Sequence, residues 1–130
     1  MIRRKLSIDA SRKIALAVSA LLMPVSLGII AAPPLSIAIA FFSTAMFAHQ
    51  FWSTIVQTLV ADLFPSASVG AVAGLLGCAG SFGAMLFNLL VGQMITHFHS
   101  YGPVFTISGL MHPIGFAVIL LVVRRIERIA

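Results

Sequence analysis

Long apolar stretches alternate along the chain with short interruptions, and each interruption contains proline. Four of the stretches are as long as the roughly 20 mostly apolar residues that an α-helix needs to cross a bilayer. Proline separates them because it lacks an N–H and restricts the residue before it. The predicted spans are 14–32, 35–61, 69–95 and 104–123. The pattern therefore predicts an all-α membrane protein with four transmembrane helices.

Composition supports the same class and excludes an ordinary soluble domain. Hydrophobic residues make up 60% of the chain and charged residues 8%, whereas soluble domains average about 45–50% and about 25%. Between Ile14 and Val123 the only formally charged residue is Asp62. The positive charges therefore lie at the two ends, and the net charge of the whole chain is +5. No nucleic-acid partner is predicted, because that would need a basic face on a folded soluble module.

The positive charges at the two ends indicate a topology. All eight lysines and arginines lie in a basic N-terminal segment, 1–13, and a basic tail, 124–130. Because such residues concentrate on the cytoplasmic side, we expect both ends inside and a multi-pass protein of the cell membrane, such as a bacterial inner membrane. A basic start followed by an apolar run is also typical of a signal peptide, but this run exceeds the usual length and three more spans follow.

Polar side chains follow one side of the second predicted span. A step of 100° per residue places them within an arc of about 140°. Such a stripe at membrane depth predicts a functional site, because polar groups in hydrocarbon need a partner or a water-filled cavity. The alternative is that they join helix to helix by hydrogen bonds. Trp52 lies beside the stripe, where its indole could stack on a sugar ring. The stripe consists of His49, Gln50, Ser53, Thr54 and Gln57.

The third predicted span has a face of small residues. Gly70, Gly74 and Gly77 recur at steps of four and three, and Gly70 to Gly74 is a GxxxG unit. Such faces let another helix backbone approach closely, so these glycines are predicted to serve helix packing. Ser81 and Asn88 continue the same face. Each needs a polar partner if buried, and either is a candidate for contacting a ligand.

The remaining candidates for chemistry are few. His112-Pro113 lies within the fourth span, where the proline frees a backbone carbonyl. We expect this carbonyl to satisfy the histidine, and the alternative is that His112 relays protons. His97 and His99 have no carboxylate or cysteine beside them, so no metal site is predicted. Cys78 is the single cysteine. Enzymatic motifs such as GxSxG, HExxH, CxxC or Walker A are missing from the sequence, so neither enzymatic activity nor a cofactor is predicted.

Several motifs, in this order and spacing, resemble those of a known family. They extend over Ser7 to Ala130, nearly the whole chain. The chain resembles the C-terminal third of major facilitator superfamily transporters, in the anion:cation symporter group of hexuronate, glucarate and galactonate carriers. The matching stretches are Ala10-Ser11-Arg12-Lys13, Ala48-His49-Gln50-Phe51-Trp52-Ser53, Asp62-Leu63-Phe64-Pro65 and the glycines at positions 70, 74, 77, 80 and 83.

This resemblance implies a fold, a substrate and a site. The four spans would correspond to helices 9–12 of the twelve-helix fold, with substrate bound near the bilayer midplane between two halves. The ligands would be a sugar acid and a coupling cation, with the family's charged substrate-binding residues on preceding helices. Asp62 and Arg12 would form a gating ion pair. Together with the residue pattern, this gives the predicted substrate-binding residues Gln50, Trp52, Ser53, Gln57, Ser81 and Asn88.

The predicted function is therefore that of a C-terminal fragment of a sugar-acid symporter, coupled to a cation such as a proton in the full-length form. Its partners would be the lipid bilayer and the missing N-terminal helices, supplied as a separate chain or encoded upstream. Two alternatives remain open. One is a self-standing small four-helix transporter. The other is a membrane subunit that does not transport and that docks through the glycine face of the third span.

Overall fold

Helices make up almost all of the computed structural model, which describes residues 7 to 123. In that range, four helical segments are long and apolar enough to cross a membrane. This confirms the predicted all-α class and the four helices of spanning length. The segments are α1 (Ile8–Leu22) continued by the 3₁₀ helix η1 (Met23–Ala31), α2 (Leu35–Leu63), α3 (Ser66–Phe98) and α4 (Gly102–Val122). The predicted tail, 124–130, and residues 1–6 lie outside the described residues.

The first helix begins within the segment predicted to precede it, at Ile8 rather than near residue 14. Ser7 is its N-cap, and the Ser7 hydroxyl accepts a hydrogen bond of 3.2 Å from the N–H of Ala10. Asp9 lies in the first turn, where the helix dipole favours a negative charge. It also pairs with Lys13, one turn further on, at 2.8 Å. Charged residues 9, 12 and 13 are therefore helical.

The first spanning segment changes from α-helical to 3₁₀ geometry at Met23. Pro24 explains the position of the change, because it has no N–H to donate to the carbonyl of Ala20 four residues earlier. The 3₁₀ helix extends over nine residues, although such runs rarely exceed three or four. It rises about 2.0 Å per residue instead of about 1.5 Å. The segment therefore gains length after the proline.

Two helices are longer than a perpendicular crossing requires. Helix α2 has 29 residues and α3 has 33, which correspond to lengths of about 44 Å and about 50 Å. The hydrocarbon core of a bilayer is about 30 Å thick. Tilt, or extension of the helix ends beyond the hydrocarbon, accommodates the excess. Both helices exceed the predicted spans, 35–61 and 69–95, by a few residues at one or both ends.

Helices α1, η1, α2 and α4 pack together and contain all the buried residues of the described range. One cluster centres on Leu16, Ile55 and Leu59, and it is flanked by partly buried residues of α4 such as Phe116. A second cluster joins Met23 to Ala45 and Ala48. The first spanning segment, α1 with η1, packs against both α2 and α4 and lies between them, and α2 and α4 meet each other mainly through side chains. We call this part of the molecule the three-helix bundle, counting α1 with η1 as one spanning segment.

Small residues allow close approach within the three-helix bundle. A Cβ added to Gly28 of η1 would lie 2.5 Å from Phe41 Cε2, and one added to Gly109 would lie 3.1 Å from Leu27 Cγ. The hydroxyl of Ser19 donates a hydrogen bond of 2.7 Å to the carbonyl of Ala48 and thereby joins α1 to α2. Small residues and hydroxyls at helix contacts are typical of membrane bundles.

Helix α3 lies apart from this bundle. None of its 33 residues is buried, and apolar side chains such as Leu75 and Leu89 are more than 60% exposed. It follows α2 after the two connecting residues Phe64 and Pro65, and it precedes α4 after a short turn. Its long apolar surface therefore faces lipid or another protein segment.

Candidate functional site

The polar stripe of α2 lies on the side of the helix that faces away from the core. Buried positions of α2 include Ala48, Ile55 and Leu59. Within the stripe, Gln50 and Gln57 are exposed, whereas Ser53 is partly buried. The amide of Gln57 lies 3.4 Å from the Ser53 hydroxyl, close enough to donate a hydrogen bond. The structure therefore brings two of the predicted substrate-binding residues together and leaves the amides open to the outside of the bundle.

Trp52 lies at the border between this stripe and the core, and it contacts α4. Its ring centroid is 5.1 Å from that of His112, with an angle of 68° between the planes. A Cβ added to Gly115, one turn further along α4, would lie 3.3 Å from Trp52 Cζ2. The absence of a side chain at Gly115 thus makes room for the indole. The ring is held from the α4 side and is partly exposed elsewhere.

His112 is buried at the contact between α2 and α4, with 8% of its surface exposed. Its ring also lies 5.4 Å from that of His49, at an interplanar angle of 72°. Neither ring nitrogen of His112 has a hydrogen-bond partner among the described residues. The expectation that a carbonyl freed by Pro113 would satisfy His112 is therefore wrong. Instead, the His112 ring packs in a T-shaped arrangement against the rings of His49 and Trp52.

Arg12 and Asp62 form an ion pair between the start of α1 and the end of α2. Arg12 Nε donates to Asp62 Oδ2 at 2.8 Å, and the two side chains are 30% and 23% exposed. Asp62 lies in the last turn of α2, where the helix dipole disfavours a negative charge. The guanidinium compensates for this charge and links two elements that are 50 residues apart. The structure thus brings the predicted pair together, and its gating role stays a prediction.

The predicted substrate-binding residues of α3 are exposed, and they do not contact those of α2. Ser81 and Asn88 are both exposed, and within residues 7–123 no hydrogen bond joins either to another helix. A Cβ added to Gly70, Gly74 or Gly77 would meet nothing within 4 Å. The close packing predicted for these glycines does not occur between the described helices. Close packing of these glycines against another protein segment, outside the described helices, stays a prediction.

Sequence reasoning missed the glycines that do pack closely, Gly28 and Gly109, and the contact of Trp52 with His112. Gly109 comes three residues before His112, so that both lie on one face of α4. Buried Ser26 in η1 lies 3.1 Å from the position of a Gly109 Cβ. The glycines of α4, Gly109 and Gly115, could have indicated close packing of that helix. The longer series of glycines in α3 favoured α3 instead.

Two surface depressions lie away from these residues. One, of about 570 Å³, is lined by Leu89, Gly92, Gln93, Thr96 and His97. Another, of about 430 Å³, lies where η1 meets the turn before α4. Neither includes a predicted substrate-binding residue. In residues 7–123, histidine, cysteine and acidic side chains form no cluster of three or more that would suit a metal ion.

Comparison with protein-family models, with curated proteins and with solved structures finds no match to this chain. The fold alone defines the class. The chain is an all-α protein whose four apolar helices suit a multi-pass membrane protein. Helices of this length and composition are suited to association with a lipid bilayer, since large exposed apolar surfaces are rare in soluble monomers.

Proposed function

We propose that the chain provides the C-terminal four helices of a secondary transporter that carries a sugar acid, such as a hexuronate or an aldarate, together with a proton. One observation carries the proposal. Exposed amide side chains, Gln50 and Gln57 on α2 and Asn88 on α3, lie on the outside of a chain that is otherwise apolar. Hydrocarbon cannot satisfy such groups. A water-filled substrate cavity, closed by further helices, would satisfy them.

Trp52 supports a sugar as the substrate. An indole offers an apolar face for a sugar ring and an N–H for a hydroxyl. In this chain the contacts with His112 and Gly115 hold the indole from one side, and part of the ring is exposed. A rigid ring at the edge of a stripe of polar side chains suits a ligand with many hydroxyl groups. The acid group of the substrate would be bound by the helices that complete the transporter.

The Arg12–Asp62 pair supports a conformational role at the cytoplasmic ends of α1 and α2. A partly exposed ion pair contributes about 0–1 kcal/mol, so it can break and re-form during a transport cycle. In the proposed transporter it would hold closed the state that opens to the other side of the membrane. Its weakness suits a gate, because a gate must also open.

The main experiment measures uptake of radiolabelled glucuronate and glucarate in cells that lack their own carriers. The chain is expressed together with the first eight helices of a sugar-acid symporter, supplied as a separate chain. We expect uptake only when both parts are present, and we expect Trp52→Ala to abolish most of it at unchanged membrane abundance. Phe47→Ala is the matched control, since the Phe47 ring stacks on Phe51 instead. Uptake unchanged by Trp52→Ala would remove Trp52 from the site.

A second candidate function rests on α3. A membrane subunit that stabilises another protein would use the exposed glycine face of α3, where added side chains meet open space within this chain. Replacing Gly74 and Gly77 by leucine would then abolish co-purification with the partner and leave the folding of this chain intact. Retained co-purification with the double variant would contradict the subunit hypothesis.

A further inference from the structure

The contact between α2 and α4 contains two histidines and the single tryptophan of the chain. The ring of His112 lies edge-on to His49 at 5.4 Å and to Trp52 at 5.1 Å between centroids. His49 is exposed on the polar stripe, whereas His112 is buried. The pair therefore connects the outside of the three-helix bundle to its interior.

The buried imidazole is incompletely satisfied. A neutral imidazole has one N–H donor and one acceptor nitrogen, and both nitrogens of His112 lack a partner among residues 7–123. Leaving a buried polar group unpaired costs about 1–3 kcal/mol. The hydroxyls near the bundle interior do not relieve it, because Ser19 donates to Ala48 and Ser26 to Met23. A group left in this state in a native protein calls for an explanation, and proton binding is one that its ring nitrogens allow.

Few other titratable groups face this contact. On α2 the other titratable side chain is Asp62, which lies 13 residues beyond His49, or about 20 Å along the helix. Those of α1 are confined to its first turns: Asp9, Arg12 and Lys13. Helix η1 has none, α4 has none in its described range besides His112, and α3 has Cys78 and His97. His49 is therefore the one titratable group in ring contact with His112 within the described chain.

We propose that His112 is a proton-binding site that is loaded through His49. A proton from water on the polar stripe binds the lone pair of a His49 ring nitrogen. Rotation of the two rings, whose centroids are 5.4 Å apart, then brings a His49 N–H within hydrogen-bond distance of a His112 ring nitrogen, which takes the proton and leaves His49 neutral. The pair holds one proton at a time, because two adjacent imidazolium ions would repel each other. The Trp52 ring, within about 6 Å, stabilises the cation. Proton entry thus changes the contact that joins α2 to α4.

Within a transporter this site would bind the coupling cation, and that role rests on the proposed function. Proton binding itself rests on the position of the two imidazoles and on the unpaired nitrogens of His112. The test therefore uses the purified chain in lipid nanodiscs and no transport assay.

Trp52 is a built-in reporter, because it is the only tryptophan and a nearby imidazolium quenches indole fluorescence. The emission of Trp52 is recorded between about pH 8 and about pH 5, the interval in which imidazoles titrate. We expect a loss of intensity on acidification that His112→Gln abolishes. A loss that persists in His112→Gln, or no loss in the unaltered chain, would overturn the proposal.

Two further variants complete the test. His97→Gln is the matched control, since His97 lies against Phe98 near the end of α3, and it should leave the loss unchanged. His49→Gln should shift the midpoint of the loss along the pH axis, because the proton is shared; an unshifted midpoint would contradict loading through His49. If His112→Gln does not fold, the imidazole nitrogen resonances of the ¹⁵N-histidine-labelled chain give the same answer, since His112 must titrate together with His49.

The two proposals fail in different ways. Absent sugar-acid uptake with an intact, His112-dependent fluorescence change would reject the transporter and keep the proton site. Uptake that depends on Trp52, with fluorescence that is independent of His112, would reject the proton site and keep the transporter.

Discussion

The three-helix bundle and helix α3 have similar apolar compositions but opposite environments. The bundle buries Leu16 and Ile55 in one cluster and Ala48 in a second. Helix α3 is the longest helix of the described chain and has no buried residue. Apolar composition qualifies a helix to lie in a membrane but does not determine whether it packs on its neighbours, because lipid chains are as apolar as leucine. Packing depends on small residues and hydroxyls in matching positions on both helices.

The largest difference between the two regions should appear when a core leucine is shortened. Leu16→Ala removes a side chain that is fully buried, and we expect it to lower the free energy of unfolding by about 2–5 kcal/mol. Leu89→Ala on α3, where the side chain is 62% exposed, should change it by less than about 0.5 kcal/mol. Unfolding in mixed micelles, followed by circular dichroism, measures both. An equal loss for Leu89→Ala would mean that α3 is covered in the folded protein.

A smaller difference should separate glycines of the two regions. Gly28→Ala places a methyl group 2.5 Å from Phe41 Cε2, and overpacking of this kind typically costs about 1–3 kcal/mol. Gly74→Ala adds the same methyl group where nothing lies within 4 Å, so it should be neutral or slightly stabilising, since alanine favours the helix. The same unfolding measurement checks the pair. Destabilisation by Gly74→Ala in the isolated chain would show that the glycine face is occupied by a second copy.

The smallest effect concerns the ion pair at the edge of the bundle. Because the Arg12 and Asp62 side chains are partly exposed, we expect Arg12→Gln to cost no more than about 1 kcal/mol. The double variant Arg12→Asp with Asp62→Arg should recover part of the loss. Unfolding at low and high salt provides the check, because screening should shrink the difference between the unaltered chain and Arg12→Gln. A loss of several kcal/mol, independent of salt, would indicate a buried pair.

Much of the candidate site could be predicted from local sequence, but its contacts could not. The polar stripe follows from helical periodicity within α2, and this periodicity predicts that Gln50 and Gln57 lie on one side of the helix. Both side chains are exposed in the structure, as that pattern suggests. The partner of Trp52 was missed because His112 lies 60 positions further along the chain. The pairing of Arg12 with Asp62 was named through a family resemblance, and the 2.8 Å distance comes from the structure.

The sequence by itself determined the number of spanning helices, their approximate limits and the helical class of the chain. These properties are local, since hydrophobic length and the missing N–H of proline act on the segment that contains them. Only the tertiary structure decided which helices pack, that Gly28 and Gly109 rather than Gly74 approach a neighbour, and that His112 is buried beside Trp52. The reason is physical: each apolar helix can rotate about its axis at little cost in lipid, and its rotation is set by side chains on other helices.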